Sequence, residues 1–199
     1  MRTIGWIGLA ALSGLVAAGS AEAAESGFVA GFLGVEPSKT VDTFACFNRV
    51  YDPAHLAAHP QQNVKAMTLL AVVDPANPDE VQLRFGVGFR TRKGMLETNG
   101  GCAVMSGEGD GAASASAAHC NVDCDGGAIE VTLKTDGNVL VGIPAGARLW
   151  KPGDDNPDDN VHGAFGTDDK LFRLDRASLS ECLPLAVDKD ERARLTRGH

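Results

Sequence analysis

His55 and His59 stand four residues apart, a spacing that puts two imidazoles on one helical face, where they can chelate a transition metal. The surroundings fit that chemistry poorly. His59 precedes Pro60, which disfavours a helical conformation for it, and no glutamate stands where a zinc protease carries its general base. The plain reading is a short surface helix with a histidine at each end. Metal binding is kept as the alternative, with further ligands drawn from His119, His162 or the acidic stretch 154–160. That stretch resembles a calcium loop when aligned on Asp158, which places Gly163 at the sixth position and Asp169 at the twelfth. His162 then falls where an oxygen ligand belongs, and Pro152 and Pro157 exclude an incoming helix, so a solvated acidic loop is expected.

Cysteine is the other reactive residue type. Cys120 and Cys124 are separated by three residues, one more than the redox motif requires, and a hairpin follows where that motif opens a helix. Structural disulfides are the expectation. Cys102 with Cys120 closes a loop at its base, and Cys46 with Cys182 ties the first strand to the C-terminal region, leaving Cys124 over. No Gly-x-Ser-x-Gly and no Gly-x-Gly-x-x-Gly between a strand and a helix occurs, so serine-hydrolase and dinucleotide chemistry have no support. Arg84, Arg90 and Arg92 share the polar face of one strand, either as the solvent side of a sheet or as a site for an anion. No catalytic, cofactor-binding or metal residue is assigned, and no cofactor is expected.

Residues 1–24 read as a cleaved secretory signal: Arg2, an apolar run over 4–18, then small residues spaced for cleavage. The run is short for a bilayer span and no second one follows, so no stable membrane anchor is expected and the location should be periplasmic or secreted. Residues 25–199 then form a single disulfide-stabilised β domain. Its net charge of −8 and few aromatic residues argue against nucleic acid as a partner.

The elements that must position these residues are mostly strands. Residues 25–40 read as an irregular lead-in, and 40–51 as a strand apolar on both faces. Asp52-Pro53 caps a short helix that Pro60 stops. Residues 64–73 are a buried strand, and 81–92 alternate cleanly, with Val81, Leu83, Phe85, Val87 and Phe89 facing one way. Gly86 and Gly88 on the opposite face point to a strongly curved or closed sheet. A short strand over 95–98, a flexible loop over 106–118, and a hairpin over 129–143 follow. A two-residue Asp-Gly loop in that hairpin would turn Val139, Val141 and Ile143 away from the core, so a three-residue loop of Asp136 to Asn138 is predicted, pairing Leu133 with Val141. Strands over 147–150 and 170–174, a helical turn after Ser178 and a polar tail over 186–199 complete the chain.

The fold class is therefore all-β: an antiparallel β-barrel or β-sandwich of about eight short strands with one or two short helical segments. The function expected is that of a non-enzymatic envelope accessory or inhibitor-like domain that binds a small ligand or a protein partner. A metal-binding protein or metal-dependent enzyme using His55 and His59 is the alternative.

Overall fold

The computed structural model describes residues 27–78, 80–105, 117–122, 126–153, 161–162 and 165–198. The leader 1–24, most of the 106–118 loop, Cys124 and the acidic stretch 154–160 lie outside the described residues.

Eight antiparallel strands close into a barrel: β1 (Thr43–Val50), β2 (Val64–Val73), β3 (Val81–Phe89), β4 (Met95–Met105), β5 (Ala117–Asn121), β6 (Ala128–Leu133), β7 (Val139–Gly142) and β10 (Leu171–Ala177). Each strand pairs with the one before it. β10 then closes the ring on β1 through Cys46↔Ala177, Phe47↔Arg176 and Asn48↔Asp175. β8 (Arg148–Leu149) and β9 (Val161–His162) form a separate ribbon within the long connection from β7 to β10. Closure settles barrel against sandwich, and it removes the unpaired edges that an open sheet would present.

The alternation of β3 holds. Its five apolar residues are buried in the barrel with Met67 and Leu69 of β2, Ile129 and Val131 of β6, Val139 and Val141 of β7, and Phe172 and Leu174 of β10. β1 is buried on both faces, as its composition requires. Ala45 and Phe47 enter the barrel, whereas Phe44 and Cys46 join Leu70 and Val72 in an outer cluster. A 3-10 helix, Leu179–Leu185, and α3, Lys189–Arg197, cover that cluster with Cys182, Leu185 and Leu195.

Four expectations need correction. The lead-in contains a helix, α1, over residues 27–33, which buries Phe28, Val29, Phe32 and Leu33 across the barrel end that carries the β6–β7 turn. Gly27 and Gly31 hide it in the sequence by lowering helix propensity. A helix this short does not stand alone. It is held by burial of those side chains, each contributing about 2 kcal/mol, and by Arg176, which donates to the carbonyls of Leu33 (3.1 Å) and Phe32 (2.8 Å). Gly31 packs closely here, since a Cβ on it would lie 3.0 Å from the Leu133 side chain.

β4 continues to Met105 rather than stopping at Thr98. Gly100 and Gly101 read as breakers, but a Cβ on Gly100 would sit 2.7 Å from the Asn121 carbonyl, so glycine there allows β5 to approach. Ala117 and Ala118, assigned to the loop, belong to β5.

The β6–β7 turn lies one residue earlier than predicted. Leu133 pairs with Val139 and Val131 with Val141. Lys134 N donates to the Asn138 carbonyl and Gly137 N to the Lys134 carbonyl, so the three loop residues are Thr135, Asp136 and Gly137. Gly137, at φ +78°, takes the left-handed position that closes the loop.

The tail, whose i,i+4 pairs Asp188–Arg192 and Asp190–Arg194 allow an exposed helix or a frayed end, is a helix docked on the barrel. α3 starts at Asp188, whose side chain accepts from Glu191 N, and buries Leu195 (1% exposed) and Glu191 (2%). One leucine and one ion-paired glutamate are too few to register as an amphipathic pattern.

Cys46 and Cys182 are bonded, with Cα atoms 5.9 Å apart, as are Cys102 and Cys120, which face each other across β4 and β5. The other barrel end is knotted by Asp169, which is 0% exposed. Its carboxylate accepts from the backbone amides of Gly166 (2.7 Å), Asn63 (2.8 Å) and Val64 (3.2 Å). Gly166 is obligatory beside it, because a Cβ would collide with the Gln61 carbonyl.

Replacing Asp169 with Ala orphans three amides and should cost about 3 kcal/mol in urea denaturation; a loss under about 0.5 kcal/mol would remove the knot from this account. The disulfides should differ in worth. The Cys46–Cys182 bridge spans 136 residues, for which chain entropy gives about 5 kcal/mol. The Cys102–Cys120 bridge spans 18, for which it gives about 3 kcal/mol. Paired serine substitutions should lower the thermal midpoint in that order, and the reverse order would contradict it.

Candidate ligand groove

Outward residues of β3 and β4 form the floor of a groove of about 780 Å³. Arg84 comes from β3, with Glu97 and Asn99 from β4. One wall is the segment after β8, Trp150 to Gly153, and the other is Pro184 to Val187, the end of the 3-10 helix and the two residues that follow it. Gly86 keeps the floor low. The space its side chain would fill is taken by Met95 Cε, 2.6 Å from the position of a Cβ, and Leu185 Cδ2, 3.3 Å away.

Trp150 is placed by its backbone. Glu97 N donates to the Trp150 carbonyl (2.8 Å) and Trp150 N to the Glu97 carbonyl (2.7 Å), an isolated antiparallel bridge. In such a reciprocally bonded pair the two side chains project to the same face. Trp150 also packs against the barrel core, which holds its indole at the rim.

The charges in the groove are unequal partners. Arg84 Nη1 lies 2.6 Å from Glu191 Oε2, with side chains 18% and 3% exposed, and Glu191 also accepts from Val187 N (2.8 Å). That pair secures α3 and cancels its own charge. Glu97 is half-buried, and among the described residues its carboxylate has no hydrogen-bond or ion-pair partner. Burial pushes its carboxyl above the ordinary range, with Arg84 pulling it partly back.

The residues singled out in the sequence are scattered. His55 lies in the first turn of α2 (Pro53–Ala58) and His59 is its C-cap, and Tyr51, His55 and His59 form a ring stack with centroids 4.7 and 4.5 Å apart. His55 Nε2 is 3.0 Å from Gln62 Oε1. Burial raises the Tyr51 phenol, with Arg49 opposing it. His119 is on β5, the strand opposite β1 across the barrel, 3.8 Å from Glu130, so it does not reach the α2 pair. His162 is in β9. Among the described residues no group of three or more His, Cys, Asp or Glu is placed to hold a metal ion. Asp169 spends its carboxylate on backbone amides.

The three arginines are likewise divided. Arg84 pairs with Glu191, while Arg90 donates to the carbonyls of Leu56 (3.2 Å) and Gln62 (3.1 Å), bracing a smaller apolar dent under α2. Arg92 lies exposed beyond the end of β3. They do not converge on an anion.

No family model, curated protein or solved structure matches the chain. The groove's chemistry is therefore read from its own residues. Sequence reasoning passed over Glu97, Asn99 and Trp150; the alternation of Leu96 and Thr98 inward against Glu97 and Asn99 outward was available, but nothing in the pattern brings Trp150 beside Glu97.

Glu191→Ala leaves Arg84 largely buried without its counter-charge and should cost roughly 3 kcal/mol. The double variant Arg84→Leu with Glu191→Leu should be more stable than Glu191→Ala alone by chemical denaturation. A double variant less stable than the single would mean the pair itself is not what holds α3.

Proposed function

We propose that this protein is a non-enzymatic, disulfide-stabilised binding domain of the periplasm or extracellular space that takes a small ligand in the groove between β3, β4, Trp150 and the segment 184–187. The observation that carries this reading is the convergence, in one concavity large enough for a small molecule, of an aromatic ring, a carboxylate without a partner among the described residues, an amide and backbone edges. The leader-like N-terminus and two disulfides support the location, since disulfides persist in oxidising compartments. Among the described residues no helix is long and apolar enough to cross a membrane. The filled barrel interior supports a site on the outer face, because the side chains that meet inside pack against one another as a core.

A direct readout is available. Trp150 is the sole tryptophan once the leader with Trp6 is removed, so intrinsic fluorescence of the processed protein reports on the groove alone. In a screen of small molecules of mixed charge, binders should shift Trp150 emission, and Asn99→Phe, which fills the groove from an exposed position, should abolish the shift. A screen with no binder of any class, or binders indifferent to Asn99→Phe, would overturn the groove as the site.

A further inference from the structure

We propose that the ligand of this groove carries an organic cation, an ammonium group seated between the Glu97 carboxylate and the Trp150 ring. This rests on the groove being the binding site. The reciprocal bonds between Glu97 and Trp150 put their side chains on one face, and both line the groove. A carboxylate beside an aromatic ring offers an ammonium both a counter-charge and a face rich in electron density.

The charge inventory points the same way. Arg84 and Glu191 neutralise each other. Lys151, the other cation lining the groove among the described residues, is exposed and makes no ion pair with Glu97. Among the described residues Glu97 is left as the groove's half-buried carboxylate without a hydrogen-bond or ion-pair partner, its charge only partly offset by Arg84. An anionic ligand would be repelled by it, and a neutral one would leave it desolvated without compensation. The net charge of −8 adds a long-range attraction for cations.

Burial without a partner carries a further sign. A carboxyl whose folded pKa is raised favours the folded state at pH below the ordinary carboxyl range and loses that contribution as pH rises through the raised value. At neutral pH the ionised Glu97 therefore works against folding, and Glu97→Gln should be at least as stable as the native protein. A residue kept there for structure alone would behave in the opposite way.

The test is calorimetric titration of the processed protein with choline and with its neutral tert-butyl isostere, and with benzylammonium, benzyl alcohol and benzoate. Each cation should bind about tenfold or more tightly than its neutral counterpart, and Glu97→Gln should erase that preference without lowering the thermal midpoint. Trp150→Leu should weaken the cations, whereas Trp150→Phe should retain most of their binding. Neutral compounds or benzoate binding as well as the cations, or a cation preference that survives Glu97→Gln, would overturn the inference while leaving the groove standing if Asn99→Phe still blocks binding. Failure of every compound, whatever its charge, would instead remove the groove reading beneath it. A fall in the midpoint of Glu97→Gln would assign Glu97 to structure and overturn the inference as well.

Discussion

The structure depends on β1 being buried on both faces. Its inward residues, Ala45 and Phe47, need the ring to close, and its outward residues, Phe44 and Cys46, need something outside the ring to cover them. Pairing with β10 meets the first demand, and the 3-10 helix and α3 meet the second. The groove follows from the second. Because the C-terminal segment is drawn back over β1 and β2 and fastened by Cys46–Cys182 and Arg84–Glu191, residues 184–187 stand up as a wall beside β3 and β4.

Polar side chains at the two barrel ends serve as fasteners. Asp169 gathers three backbone amides at one barrel end, and Arg176 gathers the carbonyls of α1 at the other while its guanidinium lies 4.7 Å from the centre of the Phe47 ring. Burial pulls Arg176 below the ordinary guanidinium range. On the outside, Asp175 is held below the usual carboxylate range by bonds from Arg49 and Arg173, against the opposing pull of desolvation. Each of these side chains has its partners. Glu97 is the contrast, a half-buried carboxylate with none among the described residues, and that difference separates a candidate binding group from a structural one.

Much of the fold was legible where side chains alternate or where a cap is spelled out. β3 could be read from five apolar residues at period two, and Asp52-Pro53 marked α2, whose first turn Asp52 caps through His55 N. The two cysteine pairs chosen by loop closure are the pairs the structure carries. Glycine caused the misses. Gly31 lowers helix propensity and Gly100 looks like a breaker, but Gly100 marks a place where the β5 backbone comes too close for a Cβ, which is a property of the partner and not of the local sequence. The turn over 135–137 was missed for a related reason: the core decides which face Leu133 and Val141 share, and a shift of two residues leaves that face unchanged.

By itself the sequence determined where most of the strands lie and which of their faces are apolar, and it offered cysteine pairs that could tie distant parts of the chain together. Those are local statements about periodicity and composition. Only the tertiary structure decided that the sheet closes through β10 on β1, that α1 and α3 dock, and that Trp150 stands beside Glu97, because each depends on contacts between residues dozens of positions apart. The fold was half written in its strands, and the groove was written only in how they were brought together.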